Sequence, residues 1–254
     1  MTANRQRLSL LDGLRGFFLL SMAGFHLVWD LIFLCGQSWI LEYEIALYLW
    51  QQSICWAFIF LSGFSWPLSR QPVRRGAVVF FCGAVITAAS CTAMPMNPIC
   101  FGILTFLGSA MILLRGLHPL LRCLPAPAGL AGSLLLFILL RGVNDHVLGF
   151  PPFFTIAPLP AGLYQNLLTA YLGFPPEDFL SLDYFSLLPW LFLYLSGYFF
   201  HRLAAGRDRL SFFARPAPRF LTLPGRHSLL FYLLHQPVLI AGLLLYRSLL
   251  RDIQ

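Results

Sequence analysis

Apolar residues run along this chain in blocks of about twenty, each long enough to cross a bilayer, with short polar connections between them. The pattern predicts helical spans over roughly 9–34, 47–68, 76–93, 99–115, 127–141, 183–201 and 227–250. The expected fold is therefore all-α: one polytopic membrane bundle over 1–254, with about seven transmembrane helices, six to eight being the bounds. The first block, LLDGLRGFFLLSMAGFHLVWDLIFL, is interrupted by Asp12, Arg15, His26 and Asp30. Asp12 and Asp30, eighteen positions apart, point the same way at 100° per residue, and Arg15 and His26 fall within about 60° of that direction. Charge near the middle of a membrane costs several kcal/mol, so such a stripe faces a bundle interior and predicts a polar site lined by the first helix. A cleaved signal peptide is the competing view of this block, since Arg5 and Arg7 resemble its basic start. Asp12 and Arg15 break the clean apolar core that it requires.

Charge sorts the connections by side. Arg5 and Arg7 precede the first span; Arg70, Arg74 and Arg75 lie between the second and third; Arg115 and Arg122 follow the fourth; six more arginines fill 202–226. The alternate connections carry Glu42, Glu44, Asp145, Glu177, Asp178 and Asp183, with nothing charged over 94–98. The positive-inside rule then predicts a cytoplasmic N-terminus. With seven spans, Arg247 and Arg251 fall on the outer side, an objection that an eighth element within 150–182 would remove. Residues 142–182 open on the proline-rich FPPFFTIAPLPAG and are too long for a simple connection, so they are expected to form an outer loop, a lid or a re-entrant segment.

Composition narrows the function. The chain is 58% hydrophobic and 11% charged, with a mean hydropathy of +0.74, so its solvent is lipid. Its net charge of +7 comes entirely from arginine, because the sequence has no lysine. A retinal Schiff base and a GxxxxGK phosphate loop are thereby excluded, and the basic excess is a topology signal rather than a nucleic-acid one. The six cysteines show no CxxC spacing and predict no metal site. Cys91 and Cys100 flank one short outer turn and are within reach of pairing in an oxidising compartment, although two free thiols is the reading the spacing favours.

Three constellations carry candidate chemistry. His26 and Asp30 stand one turn apart, where a carboxylate can fix an imidazole tautomer and leave the other nitrogen as a base. In the last span, Ser228, Tyr232 and His235 share a face, with Pro237 removing a backbone hydrogen bond beside them. Asp183 and Tyr184 open the sixth span, where Asp183 equally suits a helix cap. The alternatives are structural: Asp12 with Arg15 and His26 with Asp30 as salt bridges, Tyr232 and His235 as interhelical glue.

The same residues resemble a known family. RQRLSLLDGLRGFFLLSMAGFHLVWDL, FIFLSGFSWPLSR, FGILTFLGSAMIL, YLGFPPEDFLSLDYFSLLPWLFLYLSGYFFHRL and FLTLPGRHSLLFYLLHQPVL are similar, in that order, to the heparan-alpha-glucosaminide N-acetyltransferase catalytic-domain family of transmembrane acyltransferases. The resemblance implies transfer of an acetyl group from cytoplasmic acetyl-CoA to an envelope acceptor outside, a sugar amine or hydroxyl, in a bacterial-type cytoplasmic membrane. It makes His26 the catalytic histidine and gives roles to His235 of HQP and to Asp12 and Arg15 of DxxRG, with Arg15 among the residues that hold the donor. His26 would serve as general base or transient acyl carrier, and Asp30, by its spacing, would orient it. The CoA phosphates would fall to Arg70, Arg74 and Arg75 on charge alone. One departure from the family pattern is Thr105, which stands where FGILH would place a histidine. The rivals are a proton-coupled transporter that uses the same His and Asp residues, and a haem carrier ligated by His26 and His235. These boundaries separate the two histidines by roughly 10 Å along the membrane normal, too far for one iron. No metal or haem is expected.

Overall fold

The computed structural model describes residues 8–251, apart from the side chains of Leu34, Ser38, Leu250 and Arg251. Arg5 and Arg7 lie outside the described residues. The predicted blocks are helices: α1 (Ser9–Cys35), α2 (Glu44–Ser65), α3 (Pro72–Ala93), α4 (Ile103–Leu121) and α5 (Ala126–Leu139). They are followed by β1 (Val147–Phe150), β2 (Phe154–Pro158), α6 (Leu167–Leu172), α7 (Trp190–Gly206), α8 (Arg219–Arg226) and α9 (Ser228–Arg251). Among the described residues, six helical segments are long and apolar enough to cross a membrane. They correspond to six of the seven predicted spans. The seventh is α7, with 17 residues, or about 25 Å of helix. The protein is an all-α integral membrane bundle.

Two compact units divide the chain, one formed by Met1–Phe58 with Asp208–Gln254, the other by Ile59–Arg207. In the first, α1 packs against α8 and α9. Its other side meets α2 through a buried cluster of Leu19, Met22, Phe25, Leu47 and Ile54. The indole N–H of Trp50 donates to Ser21 Oγ at 2.8 Å, which fixes the rotation of α1 about its axis.

In the second unit, the end of α2 packs on α7, α3 on α4 and α5 on α7. Small residues make these seams: a Cβ on Gly63 would lie 1.9 Å from the Tyr194 carbonyl oxygen, and one on Gly83 2.6 Å from Thr105 N. Without a hydrophobic force between helices in lipid, such close backbone approach is a main source of packing energy. Residues 142–182 contain the β1–β2 antiparallel hairpin and the six-residue α6, started by an Asn166–Thr169 capping box. None of these is long enough to be an eighth span.

The sixth span begins seven residues later than predicted. Residues 181–185 direct their hydrogen bonds to the segment preceding α4. The Leu182 N–H donates to Pro98 O (3.0 Å) and the Phe185 N–H to Phe101 O (2.9 Å). Ser181 Oγ accepts from the Cys100 N–H and donates to its carbonyl, both at 2.9 Å. Leu188, preceding Pro189, is also disfavoured in a helix. Asp183 does cap a helix, but another one than its own: its Oδ2 accepts from the Ile103 N–H at 3.2 Å, at the start of α4. Tyr184 donates its hydroxyl proton to the Ala170 carbonyl.

Burial pushes the Asp183 carboxyl up to about 6, against the lowering effect of the Ile103 N–H. A raised carboxylate leaves stability unaffected below its ordinary value near 3.8 and costs stability as pH climbs through 6. Asp183→Asn keeps an acceptor for Ile103 and removes the charge. Thermal unfolding of both proteins in detergent from pH 3.5 to 7.5 should therefore show the variant gaining relative to wild type, by roughly 1–3 kcal/mol above pH 6. A pH-independent difference would contradict this account.

Candidate active site

The site is built from the backbone contact between α1 and α8. Gly16 and Gly225 face each other with no room for a side chain: a Cβ on Gly16 would stand 1.7 Å from Leu221 O, and one on Gly225 1.8 Å from Asp12 O. This contact sets the axial register. His26 lies ten residues beyond Gly16 and His235 ten beyond Gly225, so along parallel helices each climbs about 15 Å. The two imidazoles meet, with ring centroids 5.0 Å apart and planes tilted by 51°. The predicted 10 Å separation is thus corrected, because α9 starts level with Gly16 rather than with the beginning of α1. The distance argument against a shared haem iron falls with that separation.

The stripe on α1 separates into two groups. At its start, Asp12 Oδ1 accepts from Arg15 Nη1 at 3.1 Å, while Arg226 Nε approaches Asp12 Oδ2 at 3.7 Å. Asp12 is buried, and this ion cluster ties the end of α8 to α1. Arg15, assigned above to the acyl donor, is held by Asp12.

About 27 Å along the helix from Asp12, Asp30 is likewise buried. Its expected partner was His26. Instead, Asp30 Oδ1 accepts from Gln236 Nε2 at 2.8 Å. An amide in a water-free interior must find an acceptor, and a carboxylate is the strongest at hand. Because the carboxylate accepts, the donating atom is the Gln236 nitrogen, and the amide orientation follows. Gln236 is the residue that sequence reasoning missed. Its signal was present: an intramembrane amide next to the histidine of HQP.

His235 is oriented by the backbone. Its Nδ1 lies 2.6 Å from Tyr232 O. A carbonyl only accepts, so Nδ1 carries the proton and Nε2 holds the lone pair. Three buried atoms in this one cluster then have no hydrogen-bond partner: His235 Nε2, Gln236 Oε1 and Asp30 Oδ2. All three are acceptors. Buried unsatisfied acceptors are costly, and a ligand carrying several N–H or O–H donors would relieve them. Tyr232 borders the cluster, its ring 5.6 Å from His235, while Ser228 donates to Gly225 O at 2.6 Å and fastens the start of α9.

The remaining predicted residues belong to the second unit. Thr105 is buried with Oγ1 unpartnered, against Gly83 of α3. Asp183 and Tyr184 make the contacts given above. Arg70, Arg74 and Arg75 are exposed at the start of α3, where positive charge opposes the helix dipole. Among the described residues, no group of three or more His, Cys, Asp or Glu converges as a metal site would require.

A profile of the family described as heparan-alpha-glucosaminide N-acetyltransferase, catalytic, matches residues 7–237. No curated protein and no solved structure matches the chain.

Gly16→Ala is expected to cost about 3 kcal/mol or more, since its methyl group meets a main-chain carbonyl that cannot yield. Gly116, with nothing within 4 Å of a Cβ, provides the control. Gly116→Ala should be neutral or stabilising by roughly 0.4–1 kcal/mol. Equal melting temperatures for the two variants in detergent would remove the α1–α8 contact from its place in this account.

Proposed function

The chain belongs to the heparan-alpha-glucosaminide N-acetyltransferase catalytic family, and on that premise we propose that it transfers an acetyl group from acetyl-CoA to an amine or hydroxyl acceptor at the His26–Asp30–His235–Gln236 cluster. Membership makes it a membrane protein of an acetyltransferase family; donor, acceptor and residue roles are our reading. The observation that carries the reading is the set of three unpartnered acceptors. A sugar amine or hydroxyl brings the N–H or O–H donors that this set lacks, and it leaves its nucleophilic lone pair free for the thioester.

In the proposed reaction the acceptor nitrogen or oxygen attacks the acetyl carbonyl carbon. A C–N or C–O bond forms, the C–S bond breaks, and CoA leaves as its thiolate. His235 Nε2, already the acceptor nitrogen, takes the proton released by the nucleophile. His26, beside it, is the second carrier and returns a proton to sulfur. Asp30, held by Gln236, keeps negative charge near the imidazolium that forms on His235, while the Tyr232 carbonyl orients the ring.

His26→Ala and His235→Ala should each insert and fold while lowering acetyl transfer 10²–10⁴-fold, the usual range for lost acid–base catalysis. If the rings act as a unit, the double variant will be little worse than the more damaged single one. Labelled acetyl-CoA with a panel of cell-envelope glycans measures this. Near wild-type turnover in either single variant would remove that histidine from the mechanism. A protein that binds acetyl-CoA without consuming it, while moving protons in vesicles, would favour the transporter instead.

The orientation we propose puts the N-terminus in a bacterial-type cytoplasm and the acceptor side outside. In a background without native cysteines, a Cys placed at Glu42 should react with an impermeant thiol reagent from outside, and one at Arg74 should not. The opposite pattern would overturn the sidedness.

A further inference from the structure

At the turn joining α3 to α4, two thiols meet. Cys91, in the last turn of α3, and Cys100, in the segment leading to α4, are brought alongside each other where the Ile99 N–H donates to Ser90 Oγ at 2.9 Å, since each of these residues is the chain neighbour of one thiol. Both are free, Cys91 exposed and Cys100 partly buried.

The surroundings hold Cys100 in place. Its N–H and carbonyl are both bonded to Ser181 Oγ, and the neighbouring Pro98 and Phe101 carbonyls accept from Leu182 and Phe185. Phe101 has φ of +55°, a left-handed conformation uncommon for a bulky residue. Its ring stacks on Phe179. Residues 98–103 and 181–185 thus form a clasp that holds the left-handed turn and the Asp183 cap of α4. Cys100 also lines a groove of about 470 Å³ with Met96, Asn166, Asp178 and Phe179.

We infer that Cys91 and Cys100 are a redox pair, which closes to a disulfide on meeting an organic disulfide and thereby staples α3 to the clasp. Cys91, the exposed thiol, is the one an oxidant reaches first. Its thiolate attacks one sulfur of the oxidant, forming a mixed disulfide and expelling one thiolate. Cys100 then attacks the Cys91 sulfur, forming the intramolecular bond and expelling the second. The two protons lost by the cysteines end on the two expelled thiols, and the oxidant's disulfide is reduced by two electrons. Burial, and then the Cys91 thiol beside it, push the Cys100 thiol up, so Cys100 is the weaker initial nucleophile and suits the resolving role. The pair rests only on residues of the second unit and stands whether or not the acetyl-transfer reading does.

The test uses the full chain in detergent with oxidised glutathione as the probe. Titration should lower the intact mass by about 2 Da without adding glutathione, and peptide mapping without reduction should join the peptides that contain Cys91 and Cys100. Cys91→Ser should stop this mass change. Hydrogen exchange at the Leu182 and Phe185 amides should slow in the oxidised protein, since the staple restrains the carbonyls they bond to. Glutathione remaining on Cys91 with no cross-link, or a cross-link joining either residue to another cysteine, would overturn the pairing. A cross-link without slower exchange at both amides would overturn the staple.

Discussion

Everything in the first unit depends on two helices touching through their main chains. At Gly16 and Gly225 the carbonyls of Leu221 and Asp12 occupy the volume that a methyl group would need. In lipid, where apolar side chains gain little by leaving their solvent, such contact supplies dispersion and sets register together. Register matters more than energy here. Two polar faces, one on α1 and one on α9, must meet at equal height or leave charge in hydrocarbon. The glycine contact makes the heights equal, and the ion cluster of Asp12, Arg15 and Arg226 fixes the same end electrostatically.

Much of this was legible in the sequence. Hydropathy located seven helices because span length is dictated by bilayer thickness, and the stripe on α1 marked Asp12 and Asp30 as inward-facing. It did not show that the stripe serves two purposes, since angle around a helix says nothing about distance along it. The proposed hydrogen bond between His26 and Asp30 was plausible by spacing alone. Gln236 takes that carboxylate because an interhelical donor with no water to turn to competes strongly for it. The late start of α7 was hidden for a related reason. Residues 183–185 adjoin the apolar run of α7, but the backbone groups of 182 and 185 are taken by a segment eighty residues away, and composition carries no record of such a partner.

Polar atoms are accommodated in two ways. In the clasp, Asp183, Ser181 and Tyr184 are each matched to a backbone group. Around His235, three acceptors are left unmatched. Unmatched buried atoms also occur in the second unit, Thr105 Oγ1 among them, but the three near His235 all demand the same kind of partner.

His235 owes its tautomer to the carbonyl of Tyr232, a main-chain atom. No side-chain replacement at 232 deletes that atom, and the phenol can be lost or exchanged while the imidazole keeps its proton on Nδ1. Catalytic histidines are more often oriented by a carboxylate, which one substitution disables. Here the orienting group belongs to the helix itself, so the Nδ1 proton of His235 stays in place whatever side chain stands at 232.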